Sequence, residues 1–232
     1  MEPLRLVPNL IEQVYTRMVD SIAEGVLAPG ERLTQEEIAE RLNVSRQPVS
    51  HALQLLKRQG LVVEHGRRGL SVAPVDPGRM RDLYQLRAAI DGLASRLAAE
   101  RVERRAAAAP DIERLKQRLA AGGALSPEAP IHDWIEADIA FHQSVYQLSG
   151  NLAIAETVAE LWPHFKRCIG ASLSDLDVRA AIWGEHAAIA NGILSGASRA
   201  AESAATHHAE KAGGALYQRL KEEAAAESAR RA

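Results

Sequence analysis

The chain has 232 residues, 47% of them hydrophobic and 4% aromatic, with charged residues at 25% and a formal net charge of −2. That length allows two small domains or one large one, and a single cysteine, Cys168, excludes a disulfide framework. No stretch reaches the roughly 18 to 20 uncharged apolar residues of a membrane span, and Glu2, Glu12 and Asp20 interrupt the region where a signal peptide needs an apolar run, so cytoplasmic residence is expected.

Near-neutrality conceals a local imbalance. Residues 1–40 hold three basic side chains, Arg5, Arg17 and Arg32, against eight acidic ones, whereas residues 41–70 hold Arg41, Arg46, Lys57, Arg58, Arg67 and Arg68 against Glu64 alone. From residue 77 onward 19 basic and 20 acidic residues cancel. The basic segment suits either a polyanion or a solvated helix face, and the elements around it decide between them.

Leu10, Ile11, Val14, Met18, Val19, Ile22 and Val26 recur at three- and four-residue intervals, predicting a helix that Gly25 and Pro29-Gly30 end. Thr34-Gln-Glu-Glu37 reads as a capping box, with the Thr34 hydroxyl accepting from the Glu37 N–H and Glu37 reaching back to the Thr34 N–H. A short helix with Ile38 and Leu42 inward follows. After a turn at Asn43-Val44, Ser45 caps a third helix with Val49, Ala52, Leu53 and Leu56 inward; Pro48 falls in its first turn and Gly60 stops it. Leu61-Val62-Val63 and Leu70-Ser71-Val72 flank His65-Gly-Arg-Arg-Gly69, a hairpin with a cationic tip.

Helix, helix, turn, helix and a two-stranded wing is the winged helix-turn-helix plan, and the basic balance falls on its third helix and wing. A helix starting Ser45-Arg46-Gln47 can present those side chains to base edges in a major groove, with His65, Arg67 and Arg68 along phosphates or in the minor groove.

Pro74-Val-Asp-Pro77 is a stiff connector, and everything beyond it is helix-forming. The expected fold is mainly α: a winged helix-turn-helix over 1–74, a linker at 75–77, and an antiparallel all-α bundle of six to seven helices over 78–232. Helices are predicted near 78–105, 110–121, 130–149, 151–170, 177–196 and 198–224, with Pro163 bending the fourth or marking a boundary.

Six of the eight histidines fall in the second domain. Asp138 and His142, four apart, stack on one helix face and can either close on a single ion or form a hydrogen-bonded pair. His186 and His208 lie ten residues before and twelve after Gly196, so two antiparallel helices joined there carry them to similar depth, where ligands project into a bundle core.

Leu27-Ala-Pro-Gly-Glu-Arg-Leu33, then Glu36-Glu-Ile-Ala-Glu-Arg-Leu-Asn-Val-Ser-Arg-Gln-Pro-Val49, then Ala52-Leu through Gly60-Leu, resembles the N-terminal domain of the GntR transcriptional regulators over about residues 9–73. Where that family has Arg-Glu after Pro-Val, this chain has Ser50-His51, which puts the operator preference apart from the family's. The resemblance implies Ser45, Arg46 and Gln47 as DNA contacts, with Ser50 and His51 at the substituted positions.

Asp138-Ile-Ala-Phe-His142, Glu185-His-Ala-Ala-Ile189 and Ala201-Glu-Ser-Ala-Ala-Thr-His-His208 resemble the FCD ligand-binding domain of the FadR-like branch, over about residues 78–225. This implies Asp138, His142, His186 and His208 as ligands of a divalent metal and leaves His207 about 100° around the helix. Three imidazoles and a carboxylate suit Zn²⁺ and also accept Ni²⁺, Mn²⁺ or Fe²⁺. Open coordination positions suit a small carboxylate, the effector class the resemblance implies. Arg87, in Leu86-Arg-Ala-Ala-Ile-Asp91, has a fork that can take such a carboxylate or serve a helix-to-helix ion pair.

The expected function is a metabolite-responsive regulator of transcription: a repressing homodimer on a palindromic operator, associated with the nucleoid through its DNA. A sensor of the metal itself is an alternative. A metalloenzyme is another, though no nucleophile elbow or glycine-rich phosphate loop accompanies the ligands.

Overall fold

The apolar stripe of the N-terminal segment folds as α1 (Leu10–Ala23), with Val14, Met18, Val19 and Ile22 buried. Leu10 and Val26, expected on the same face, are 45% and 54% exposed, the first because it begins the helix and the second because it lies beyond its end. The computed structural model describes residues 10–66 and 69–231, which divide into two compact units between Val75 and Asp76.

In the first unit, α2 (Gln35–Leu42) is capped by Thr34, whose Oγ1 accepts from the Glu37 N–H at 3.2 Å. Glu37 takes the Thr34 hydroxyl at 2.7 Å rather than its N–H, a variant of the expected box. Asn43, in the left-handed region at φ 51°, turns the chain into α3 (Arg46–Arg58). Ser45 holds the N-cap position with extended backbone, but its hydroxyl makes no capping bond. Past α3, Gly60 at φ +76° lets its N–H reach Lys57 O and the Leu61 N–H reach Leu56 O, closing two orphan carbonyls.

The wing strands β2 (Val62–His65) and β3 (Gly69–Val72) pair antiparallel, Val62 opposite Val72. The sheet holds a third strand that the sequence did not predict. β1 (Arg32–Leu33) pairs with the outer edge of β3, Arg32 opposite Ser71, giving the order β1-β3-β2. Two residues are too few for any period-two pattern; pairing with β3 alone defines them as a strand. Val49, Leu53 and Leu56 of α3 meet Ile22, Ile38, Leu61 and Val72 in a core where each aliphatic contributes about 1.5 to 3 kcal/mol by burial.

The second unit is all α among its described residues: α4 (Pro77–Glu103), α5 (Ala109–Gly123), α6 (Ile131–Ser149), α7 (Leu152–Leu173), α8 (Leu176–Leu194) and α9 (Ser198–Arg231). Asp76 caps α4 by accepting from the Arg79 N–H at 3.0 Å, and Pro77 is its first residue, where a missing N–H costs nothing. Pro163 neither ends nor divides α7, which runs through it. α9 extends seven residues beyond the predicted end, through an Ala/Glu-rich stretch without a stop signal.

α4 and α9 lie antiparallel, Gly213 against Tyr84 near one end and Gly92 against Thr206 further along. α8 and α9 form a hairpin turned by Gly196 at φ +73°, and they approach closely because Gly192 faces the Ala201 backbone; a Cβ there would come within 2.8 Å of it. Among the described residues no helix is long and apolar enough to cross a membrane.

Candidate metal centre

The hairpin and α6 bring four donors together. Asp138, His142, His186 and His208 are all buried, and each offers an atom such that all four lie within 4.8 Å of one another. His186 Nε2 is 3.4 Å from Asp138 Oδ1, and His142 Nε2 is 3.8 Å from Asp138 Oδ2. The ring centroids of the three histidines are 4.7 to 5.5 Å apart. Atoms sharing a metal at about 2.0 to 2.1 Å sit about 3 to 4 Å from one another, so the cluster is within a small contraction of a ligand set.

Two observations show that these residues fit a cation. Among the described residues, His142 Nε2 and both ring nitrogens of His186 are buried without a hydrogen-bond partner, and in a neutral His186 ring these are one N–H and one lone pair left uncompensated in a dry interior. The charge count agrees. Asp91 and Asp138 bring two formal negative charges against the single positive charge of Arg87, all three at most 3% exposed. A buried site with surplus negative charge and idle imidazole nitrogens could hold a metal.

Three outer arms hold the cluster. Arg87 donates through Nε to Asp91 at 3.3 Å and through Nη2 to Asp138 at 3.4 Å, so the interhelical ion pair, one of its two anticipated roles, is present. Asp91 Oδ2 is 3.3 Å from His142 Nδ1, while its Oδ1 accepts the Tyr146 hydroxyl at 2.5 Å. Glu185 Oε2 is 2.8 Å from His208 Nδ1. Among the described residues His186 has no such arm; Phe141 stacks on it at 4.3 Å and Trp183 meets it edge-on at 4.7 Å. Trp183 is itself anchored by donating to Leu119 O at 2.8 Å.

Burial governs the protonation states. It pushes His142 and His186 well below the usual imidazole range, with Arg87 and the neighbouring histidines adding to the effect, so both rings are neutral and able to ligate. It raises Asp138 and Asp91 above the ordinary carboxylate value even though Arg87 pulls both back. Burial opposes the charge on Arg87, but Asp91 and then Asp138 hold it above its ordinary value. Glu185 is lowered to about 2, first by its bond to His208 and further by Lys211.

Sequence reasoning missed Asp91, Tyr146 and Glu185 as contributors. Arg87 and Asp91 are four apart on α4, a signal that was available; Tyr146 and Glu185 gain meaning only from residues far along the chain. His207 is exposed on α9, one residue from the buried His208.

In the first unit Ser45, Arg46 and Gln47 are exposed together at the start of α3, and His51 is exposed one turn on. Ser50 is half-buried and its Oγ accepts from Gln35 Nε2 at 3.4 Å. His65 is exposed at the end of β2; Arg67 and Arg68 lie outside the described residues. Arg32 of β1, which the sequence groups with an acidic stretch, joins Arg46, Gln35 and Gly69 around a cleft of about 280 Å³.

A winged helix with a basic third helix, carried with an all-α unit around a buried polar centre, is the make-up of a bacterial transcription regulator with a ligand-binding domain. Residues 10–72 match the bacterial regulatory proteins of the gntR family and residues 82–211 match the FCD domain. The chain belongs to the gntR family and carries an FCD domain; it is a transcriptional regulator rather than an enzyme. It is similar to the HTH-type transcriptional repressor RspR of Escherichia coli K12, at 26% identity over 85% of this chain and 84% of that protein. A regulator from an unstable DNA locus of Streptomyces ambofaciens shares 29% identity over 84% of this chain and 80% of that protein. The solved structure of E. coli McbR/YncC matches the fold with a TM-score of 0.76 at 18% identity, over 90% of this chain and 98% of that one.

Proposed function

We propose that this regulator is a repressor whose FCD domain holds a divalent cation through Asp138, His142, His186 and His208, and that a small carboxylate bound there alters operator affinity. The observation that carries the reading is the buried set of four donors within 4.8 Å, with idle ring nitrogens. A bound divalent ion would supply open coordination positions for a carboxylate. With it, Asp91, Asp138 and Arg87 sum to one formal positive charge, which a monocarboxylate neutralises. Zn²⁺ is the favoured ion, with Ni²⁺, Mn²⁺ and Fe²⁺ as competitors. Similarity to RspR, a repressor, supports the sign of regulation.

On the DNA side, Ser45, Arg46 and Gln47 read base edges, Ser50 and His51 modify that preference, and His65, Arg67 and Arg68 of the wing hold the backbone. Two copies of the chain place two third helices on the halves of a palindromic operator. The linker at 75–77 joins this reading unit, 1–74, to the metal- and effector-binding unit, 78–232.

A second reading, in which the metal is itself the signal, is favoured by one observation: Arg87, the candidate fork for a carboxylate, is already engaged by Asp91 and Asp138. One experiment separates the two. Protein purified without added metal is assayed for bound metal, then titrated with an operator fragment from its own upstream region across a salt series, with Zn²⁺ and with a panel of small carboxylates. The main reading expects salt-sensitive binding, thermal stabilisation by Zn²⁺, and further stabilisation with a change in operator affinity for some carboxylate. Stabilisation by Zn²⁺ with none by any carboxylate selects the metal sensor, and no response to Zn²⁺ sinks both.

A further inference from the structure

The three histidines are held in three different ways, and the difference points to a positioning role that the ligand set alone does not reveal. His142 has Asp91 beside its Nδ1 at 3.3 Å, in surroundings sealed from solvent. His186 is fixed by the flat faces and edges of Phe141 and Trp183. His208 has Glu185 at 2.8 Å, and Glu185 in turn places its other oxygen 2.5 Å from Lys211 Nζ.

Helix geometry explains how one segment serves two ends. Glu185 and His186 are adjacent on α8, about 100° apart around the axis. The backbone that turns His186 toward the centre therefore turns Glu185 toward α9, where His208 and Lys211 stand one turn apart on the same face. Glu185 thus bridges α8 and α9 with both oxygens engaged. Its outer side borders a cavity of about 350 Å³ lined by Val178, Ile182 and Leu216, and the Lys211 side chain there is 56% exposed.

We propose that Glu185 is the positioning residue for His208. An ionised carboxylate can only accept, so the contact places a proton on His208 Nδ1, and in the neutral ring this leaves the Nε2 lone pair for the cluster of Asp138, His142 and His186. Without Glu185 the ring is free to exchange tautomers and to rotate, and the fourth ligand is no longer preorganised. Lys211, whose side chain is 56% exposed, engages the second carboxylate oxygen from the solvent side and adds little to the hold on His208. This inference rests on the reading that the centre binds a metal.

The test uses the full chain and Zn²⁺ as the probe, with affinity read by competition against a chelating dye. His208→Ala sets the floor. Glu185→Ala is expected to weaken Zn²⁺ binding about 10- to 100-fold, the usual cost of losing a partner that orients a ligand. Glu185→Gln, whose amide oxygen still accepts from Nδ1–H, is expected to recover most of that loss, and Lys211→Ala to stay within about threefold of wild type. ¹⁵N-histidine spectra of the metal-free protein should give one His208 tautomer in wild type and Glu185→Gln, and a mixture in Glu185→Ala, a change that a merely structural role does not produce.

Wild-type affinity in Glu185→Ala alongside a collapse in His208→Ala overturns the role of Glu185 and leaves the metal reading intact. Absence of Zn²⁺ binding in wild type overturns the metal reading itself. Should Glu185→Ala fail to fold, Glu185→Gln decides: a retained tautomer with near-native affinity supports the role, and affinity as low as that of His208→Ala refutes it.

Discussion

Arg87 on α4 and Asp138 on α6 meet at 3.4 Å with side chains 3% and 4% exposed, so an ion pair between helices is built into the wall of the candidate metal centre. Arg87 is also the cation for Asp91, four residues along its own helix. Removing it leaves two buried carboxylates facing each other across a site that already carries surplus negative charge.

Arg87→Met, which keeps an unbranched apolar stem but removes the guanidinium and its charge, should therefore lower the stability of the metal-free protein by about 3 to 5 kcal/mol, the usual cost of breaking a buried pair from one side. Zn²⁺ should restore much of that loss, because the ion takes over the neutralising role. Denaturant titration with a chelator and then with Zn²⁺ measures both quantities. A loss equal in the two conditions would mean that Arg87 acts through packing alone.

Acidification should destabilise the metal-free protein from about the ordinary imidazole value of 6.5 downward. His142 and His186 are held neutral by burial, so as pH falls the unfolded chain takes up protons that the folded one does not. Each histidine costs at most about 1.4 kcal/mol per pH unit below that point. Asp91 and Asp138 act in the opposite sense: their raised values let the folded state hold a proton to higher pH than the unfolded chain does, so their contribution favours the fold as pH falls toward 3.8. His186→Leu should flatten the histidine part by up to one proton's slope, read as unfolding free energy at a series of pH values between 5 and 7.5. An unchanged slope would remove His186 from the account.

Two glycines on helices should respond to alanine with opposite signs. A Cβ on Gly122 of α5 would fall 1.6 Å from the Trp183 ring, the same ring that packs edge-on to His186. Gly122→Ala should therefore cost about 1 to 3 kcal/mol by overpacking, and should weaken Zn²⁺ binding as Trp183 shifts. Gly214 on α9 has nothing within 4 Å of its would-be Cβ, and Gly214→Ala should stabilise by about 0.5 to 1 kcal/mol through helix propensity. Thermal melts of the two variants check the pair directly.

Replacing Arg46 with Ala should cost about 1 to 3 kcal/mol of operator binding and reduce the discrimination between operator and mutated operator. Arg32→Ala, beside it on the cleft, should weaken binding more evenly across sequences and lower the salt slope. His207→Ala, exposed in the other unit, should leave DNA binding unchanged. Fluorescence anisotropy at two salt concentrations separates these three behaviours.

Much of the first unit is legible locally. Helix stripes, the Thr34 cap and the Gly60 stop are written within a few residues of where they act, and they predicted α1, α2, α3 and the wing. β1 escaped because it has two residues and exists only through its ladder to β3. The capping hydroxyl of Ser45 was expected from residue type, yet a cap depends on rotamer as well as position, and the rotamer is not written in the sequence.

For the second unit the chain determined six helices and the spacing that sets Asp138 above His142 and His186 level with His208 across the Gly196 turn. Only tertiary structure decided what surrounds them. Arg87 lies 51 positions from Asp138, Tyr146 lies 55 from Asp91, and Glu185 reaches His208 across a hairpin. Local patterns fix which face of a helix is apolar because neighbours three and four apart share that face. They carry no record of which charged side chain on a different helix will be buried against it, and that choice sets the charge, the tautomers and the protonation states of the centre.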